Sequence, residues 1–122
     1  MMNVLDVAKT INEQIFWSID KWTYFSWGVS KKIATMHNNM PSLKLRVTGL
    51  VHKGWVIISL DGGRDCYIIT LQDVKGNIKS VHDEVYCDEL GITIDELVEK
   101  PSSMSDEKYK KLAMADSRNK LR

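Results

Sequence analysis

The residues that could do chemistry in this sequence are a glycine pair, three histidines, two cysteines and a run of carboxylates, and their spacing argues against catalysis. Gly62-Gly63 would suit a phosphate-cradling loop, in which backbone N–H groups converge on an anion. The Lys-Ser/Thr ending of such a loop is missing, and the pair joins two apolar runs rather than a strand and a helix. The ordinary reading is a tight hairpin turn in which glycine permits positive φ. His37, His52 and His82 lie in separate segments without a Cys-x-x-Cys or His-x-x-x-His element, so no metal site is expected. A nucleophilic cysteine needs a nearby base and an activating environment. Cys66 sits within an apolar run and reads as a small core residue, while Asp88 and Glu89 beside Cys87 disfavour a thiolate. Two free thiols in a reducing compartment are therefore expected rather than a disulfide. No catalytic residue, metal or cofactor is expected.

Three features suit binding instead. Between residues 83 and 99 stand seven acids and no base, among them Asp88, Glu89, Asp95, Glu96 and Glu99. They read as the wet side of an amphipathic helix, or as an acidic surface for a basic partner; the calcium-loop pattern is absent. Residues 16–27 hold Phe16, Trp17, Trp22, Tyr24, Phe25 and Trp27, a cluster that suits a core, a protein interface or a platform for nucleobases. Basic residues lie on both sides of the sequence: Lys21, Lys31 and Lys32 flank the rings, and Lys108, Lys110, Lys111, Arg118, Lys120 and Arg122 fill the end. A nucleic-acid interface would need such cations beside exposed rings.

The elements that must position these groups follow from periodicity. Val4, Val7, Ala8, Ile11 and Ile15 recur at helical spacing, which predicts a helix over residues 3–16 with Asn3 as its cap. Residues 22–27 are rich in aromatic side chains, which favours a strand, with helical continuation as the alternative. Residues 31–41 are polar and read as a connection holding one short helical turn around Ile33 and Met36. Alternation then predicts strands at 43–48, from 54 to 60, from 66 to 71 and, shorter and more exposed, from 78 to 82. The pair spanning residues 54–73 is apolar on both faces in its middle and belongs near the centre of the sheet. Helical spacing returns at 86–99, where Gly91 interrupts the pattern and Thr93 with Glu96 matches a capping box, predicting a break and a fresh start. Ser105 with Asp106 and Glu107 opens a short tail helix.

The fold class expected is α+β: an N-terminal helix, an antiparallel sheet of about five strands, a C-terminal helix and a short basic tail. Residues 1–100 read as one domain and 101–122 as a basic tail, partly helical or flexible. With 43% apolar residues and a net charge of +1, the 122-residue chain describes a folded protein rather than a disordered one. No apolar run approaches the ~20 residues that cross a bilayer, and the first residues do not resemble a signal peptide. The expected location is cytoplasmic, with no membrane partner.

Asp65-Cys66-Tyr67-Ile68-Ile69-Thr70-Leu71, the turn at Gly76, and Val85-Tyr86 with Asp88 and Leu90 leading into a helix resemble a group of small uncharacterised α/β proteins common in bacteriophages and mobile elements of gut bacteria. The likeness covers residues 4–99. It departs twice: a Gly-Gly turn after the first helix is missing around residues 16–19, and Glu84 stands where such proteins place a Gly before Val-Tyr. The resemblance implies an accessory factor that binds a host protein or protein complex, including a host defence system, and it lends no catalytic residue. On this reading the protein-binding candidates are Asp88, Glu89, Asp95, Glu96, Glu99, Trp17, Trp22, Tyr24 and Trp27. The alternative is a nucleic-acid binder using Lys31, Lys32 and the basic tail. A homodimeric structural component joined through an exposed sheet edge is the third.

Overall fold

Val7, Ala8, Ile11 and Ile15 are buried along one side of α1 (Val4–Ile15). Asn3 caps it, its Oδ1 accepting the Asp6 N–H at 2.8 Å and filling one of the amides that every helix start leaves unpaired. The computed structural model describes residues 3–99. After α1 come α2 (Lys21–Ser26), β1 (Lys31–His37), β2 (Met40–Thr48), β3 (Lys53–Asp61), β4 (Cys66–Gln72), β5 (Ile78–Val85) and α3 (Leu90–Val98). The strands form one antiparallel sheet in the order β1-β2-β3-β4-β5, so every neighbour in space is a neighbour in sequence. This is the expected α+β architecture, with β3 at the centre.

The helices cover one face of the sheet. Leu43, Leu45 and Val47 from β2, Val56 and Ile58 from β3, and Tyr67, Ile69 and Leu71 from β4 meet the buried sides of α1 and α3 in a single cluster. Each fully buried aliphatic side chain there contributes about 1.5–3 kcal/mol relative to exposure. Alternation sends Lys44, Arg46, Trp55, Ile57, Thr70 and Gln72 to the opposite face, which no described helix covers.

Four local expectations are corrected. Residues 22–27 form helix α2 rather than a strand. The Asp20 carboxylate accepts the Thr23 N–H at 2.8 Å, and the rings at positions 24 and 27 fall on the buried side of the resulting turn. Residues 31–41 are not a connection: they supply the edge strand β1 and the start of β2. Asn38 and Asn39 both take positive φ, 50° and 62°, and close a two-residue hairpin between the paired residues His37 and Met40. At the turn after β3 the glycines do not supply the positive φ. Asp65 does, at 53°, in a four-residue loop between the paired Asp61 and Cys66. Finally, α3 runs through Gly91 without a break. A Cβ at this position would overlap the Ile15 carbonyl oxygen, so the missing side chain lets α3 lie against the end of α1. Thr93 N–H bonds to the carbonyl of Glu89, the N-cap, so the helix starts at Leu90 and no new one starts at Thr93, while residues 86–89, expected to be helical, form a turn. The predicted tail helix and the basic residues beyond 100 lie outside the described residues.

Candidate functional site

The aromatic segment is divided by α2 into anchors and exposed rings. Tyr24 and Trp27, three residues apart, face inward. The Trp27 indole is fully buried and its Nε1–H donates to Asp95 Oδ1 on α3 at 2.9 Å. The Tyr24 ring lies between Phe16 and Trp27, at 4.7 and 5.3 Å between centroids. Trp22 and Phe25, also three apart, occupy the outer side of the turn and meet edge-on at 6.1 Å. Their exposure is 62% and 59%, and that of Trp17, at the end of α1, is 63%. Trp22 and Phe25 therefore present large apolar surface on a turn that Tyr24 and Trp27 bolt to the core, and Trp17 adds a third exposed ring just past α1. Phe25 was visible in the sequence but not singled out for binding; helical phase gives it its place beside Trp22.

The acidic segment is not one continuous surface. Asp95 is engaged with Trp27. Glu99 is buried, and its Oε2 accepts the Leu50 N–H at 2.7 Å. The Val98 carbonyl takes the Val51 and His52 amides, so the loop between β2 and β3 closes the end of α3. Glu89 folds back to accept the Tyr86 N–H at 3.1 Å. Asp88, Glu89 and Glu96 are exposed.

Lys31 and Lys32 are split by strand alternation. Lys32 lies on the helical side, its Nζ 5.1 Å from the Tyr24 ring centre, whereas Lys31 pairs with Arg46 on the uncovered face. On that face Trp55 is held by two cations, with Lys44 Nζ at 4.6 Å and Arg46 Cζ at 5.2 Å from its ring centre. Sequence reading did not single out this trio. The signal was present: alternation put Lys44 and Arg46 on the wet side of one strand and Trp55 on the next.

The remaining titratable groups lie apart from these surfaces. Cys66 and Cys87 are free thiols, buried and half-buried. Among the described residues no group of three His, Cys, Asp or Glu side chains could hold a metal ion, and no helix is long and apolar enough to cross a membrane. His52 is buried with Nε2 3.1 Å from the Trp55 carbonyl oxygen and Nδ1 3.3 Å from Lys79 Nζ. Burial, with a smaller push from Lys79, holds its pKa below the ordinary histidine value, while the Trp55 carbonyl acts in the other direction. Burial pushes the Tyr67 phenol up to about 12, helped by Cys87 and Asp65; its hydroxyl donates to Gln14 Oε1. These two groups tie elements together. A groove of about 280 Å³ runs between α1 and β1, lined by Leu5, Ala8, Asn12, Lys32, Ala34 and Leu43 among others.

Fold and surface together define a small α+β domain with a five-stranded meander, one helical layer and a ring-bearing corner. The chain matches no protein-family model, and no significant match to a curated protein or a solved structure is found.

Proposed function

We propose that the protein is a non-catalytic binding factor whose principal contact is the corner formed by Trp17, Trp22 and Phe25. The observation that carries this reading is the exposure of Trp22 and Phe25, 62% and 59%, on the outer side of a helical turn whose other two rings are packed into the core, with Trp17 63% exposed just past the end of α1. Three large rings left in water cost solvation that a small domain has little reason to bear unless a partner covers them. Trp and other aromatics also dominate the energetics of protein interfaces, because they bury much area with few rotamers to fix. The resemblance of residues 65–90 to phage and mobile-element proteins supports a host protein as that partner, with inhibition of a defence system as one such role.

Replacing Phe25 by a photo-crosslinking phenylalanine analogue tests this in cells that express the full chain. A discrete protein crosslinked from position 25, but not from the exposed turn position 75, is expected. Trp17→Ala with Trp22→Ala should weaken that association by at least about 2 kcal/mol, roughly thirtyfold, the scale of an interface hot spot. Equal crosslinking from both positions, or association unchanged in the double variant, would contradict the placement.

A further inference from the structure

The sheet face that no described helix covers carries a second surface, independent of the ring-bearing corner: Ile57, Thr70 and Gln72 are buried in its middle, Lys31 and Lys53 are exposed, and Lys44, Arg46 and Trp55 are half-buried. Registry places Lys31, Arg46, Trp55, Gln72 and Ile78 in one row across all five strands. The adjacent row runs Ile33, Lys44, Ile57, Thr70 and Val81. On the other side of the first row, Thr48 pairs with Lys53. Rows on one face of a sheet are about 6.6 Å apart and strands about 4.8 Å apart. Lys31, Lys44, Arg46 and Lys53 thus ring Trp55 within three neighbouring rows on β1 to β3. Those three rows contain no carboxylate. Among the described residues the ion pairs are those of Arg64 with Asp83 and Glu84, so none of these four cations is neutralised by one.

We propose that this face binds single-stranded nucleic acid, with Trp55 and the Arg46 guanidinium as stacking surfaces and Lys31, Lys44 and Lys53 as phosphate contacts. Charge complementarity selects a polyanion, and the indole among the cations selects one that carries flat rings. Bases of a single strand stack on aromatic or guanidinium planes without reading sequence, while the cations follow the backbone. The half-exposed part of this face on β1 to β3 suits a splayed single strand better than a duplex, whose major groove admits a helix or a two-stranded ribbon. Ile33, Ile78 and Val81, all 40–60% exposed, extend the apolar ground on either side. The surface differs from the Lys32 and tail positions that the sequence suggested for nucleic acid, and it lies opposite the helical layer that carries Trp17, Trp22 and Phe25.

Fluorescence anisotropy of a labelled oligo-dT with the full chain tests the assignment at 50 and 200 mM salt. Binding at low salt is expected to weaken with added salt, at a log–log slope near −0.7 per phosphate contacted, so roughly −2 to −3 for three or four contacts. Lys44→Gln with Arg46→Gln should flatten that slope and weaken binding at least tenfold. Trp55→Leu should weaken it about tenfold while leaving the slope in place. Far-ultraviolet circular dichroism reports whether each variant keeps its fold, and the glutamine pair keeps the assignment testable if Trp55→Leu does not. No binding at 50 mM salt would overturn the proposal. Binding that survives the glutamine pair would also overturn it, by placing the contact elsewhere in the chain. Equal affinity for poly-glutamate, insensitive to Trp55→Leu, would overturn it in favour of an acidic protein partner.

Discussion

Trp27 is held at both ends of its indole, by the apolar cluster around its ring and by the Asp95 carboxylate at its nitrogen. This pairing explains why an aromatic residue and an acid, 68 positions apart, leave the set of surface candidates together. Trp22 differs only in helical phase and ends in water. Tyr67 shows how firmly such anchors are set. Burial, helped by Cys87 and Asp65, pushes its phenol up to about 12, whereas an unfolded tyrosine ionises near pH 10. The folded state therefore favours the neutral phenol. Its contribution is complete below about pH 10 and is lost as the pH climbs from about 10 towards 12. Ultraviolet titration should show a tyrosine component ionising late, and Tyr67→Phe should remove it and flatten the alkaline loss of stability. Ionisation of all the tyrosines together near pH 10 would contradict its burial.

At the scale of elements, β5 is shaped by its irregularities. Tyr67 pairs with Val85 but Ile69 with His82, so β5 carries an extra residue at this point, and a second irregularity lies between Leu71 and Gln72. Bulges of this kind protect an edge from pairing with another chain. Glu84 sits in the first with φ 56°, a conformation that costs a side-chain-bearing residue about 1–2 kcal/mol. Glu84→Gly should stabilise the fold by about 0.5–1 kcal/mol, after allowing for the extra freedom of glycine in the unfolded chain. Its ion pair with Arg64 is exposed on both sides and such pairs add little. A lowered denaturation midpoint would contradict this account of the bulge.

The same elements show what the sequence could disclose. The stripe of α1 and the alternation of β2 were legible because one face of each is buried and the period is unbroken, and β3 and β4 because they are short apolar runs buried on both faces in their middle. β1 was hidden because an edge strand can stay exposed on both faces, so no alternation marks it, although Asn38-Asn39 is a fitting pair for a two-residue hairpin. α2 was hidden because Trp, Tyr and Phe suit strands in isolation, and only the Asp20 cap and the inward packing of Tyr24 and Trp27 decide for a helix. Gly91 looked like a break because close approach to Ile15 is a tertiary fact. The exposed ring set depended on α2, and so could be named by residue type but not sorted into anchors and contacts.

For the whole molecule, one helical layer on one sheet leaves two unlike surfaces on opposite sides. The helical side carries exposed rings beside Lys21, whose Nζ is 5.8 Å from the Trp22 ring centre. The sheet side carries cations around Trp55. If both proposed contacts are made, the chain meets a protein with one face and single-stranded nucleic acid with the other. The claim on which the protein-binding reading rests is that the rings at the corner are in water in the free protein while Trp27 is not. Nitrogen-15 spectra of the four tryptophan indoles in the presence of a soluble paramagnetic agent measure this directly. The indole signals of Trp17 and Trp22 should be strongly bleached, and that of Trp27, bonded to Asp95, should survive. Protection of Trp17 and Trp22 to the level of Trp27 would contradict the account.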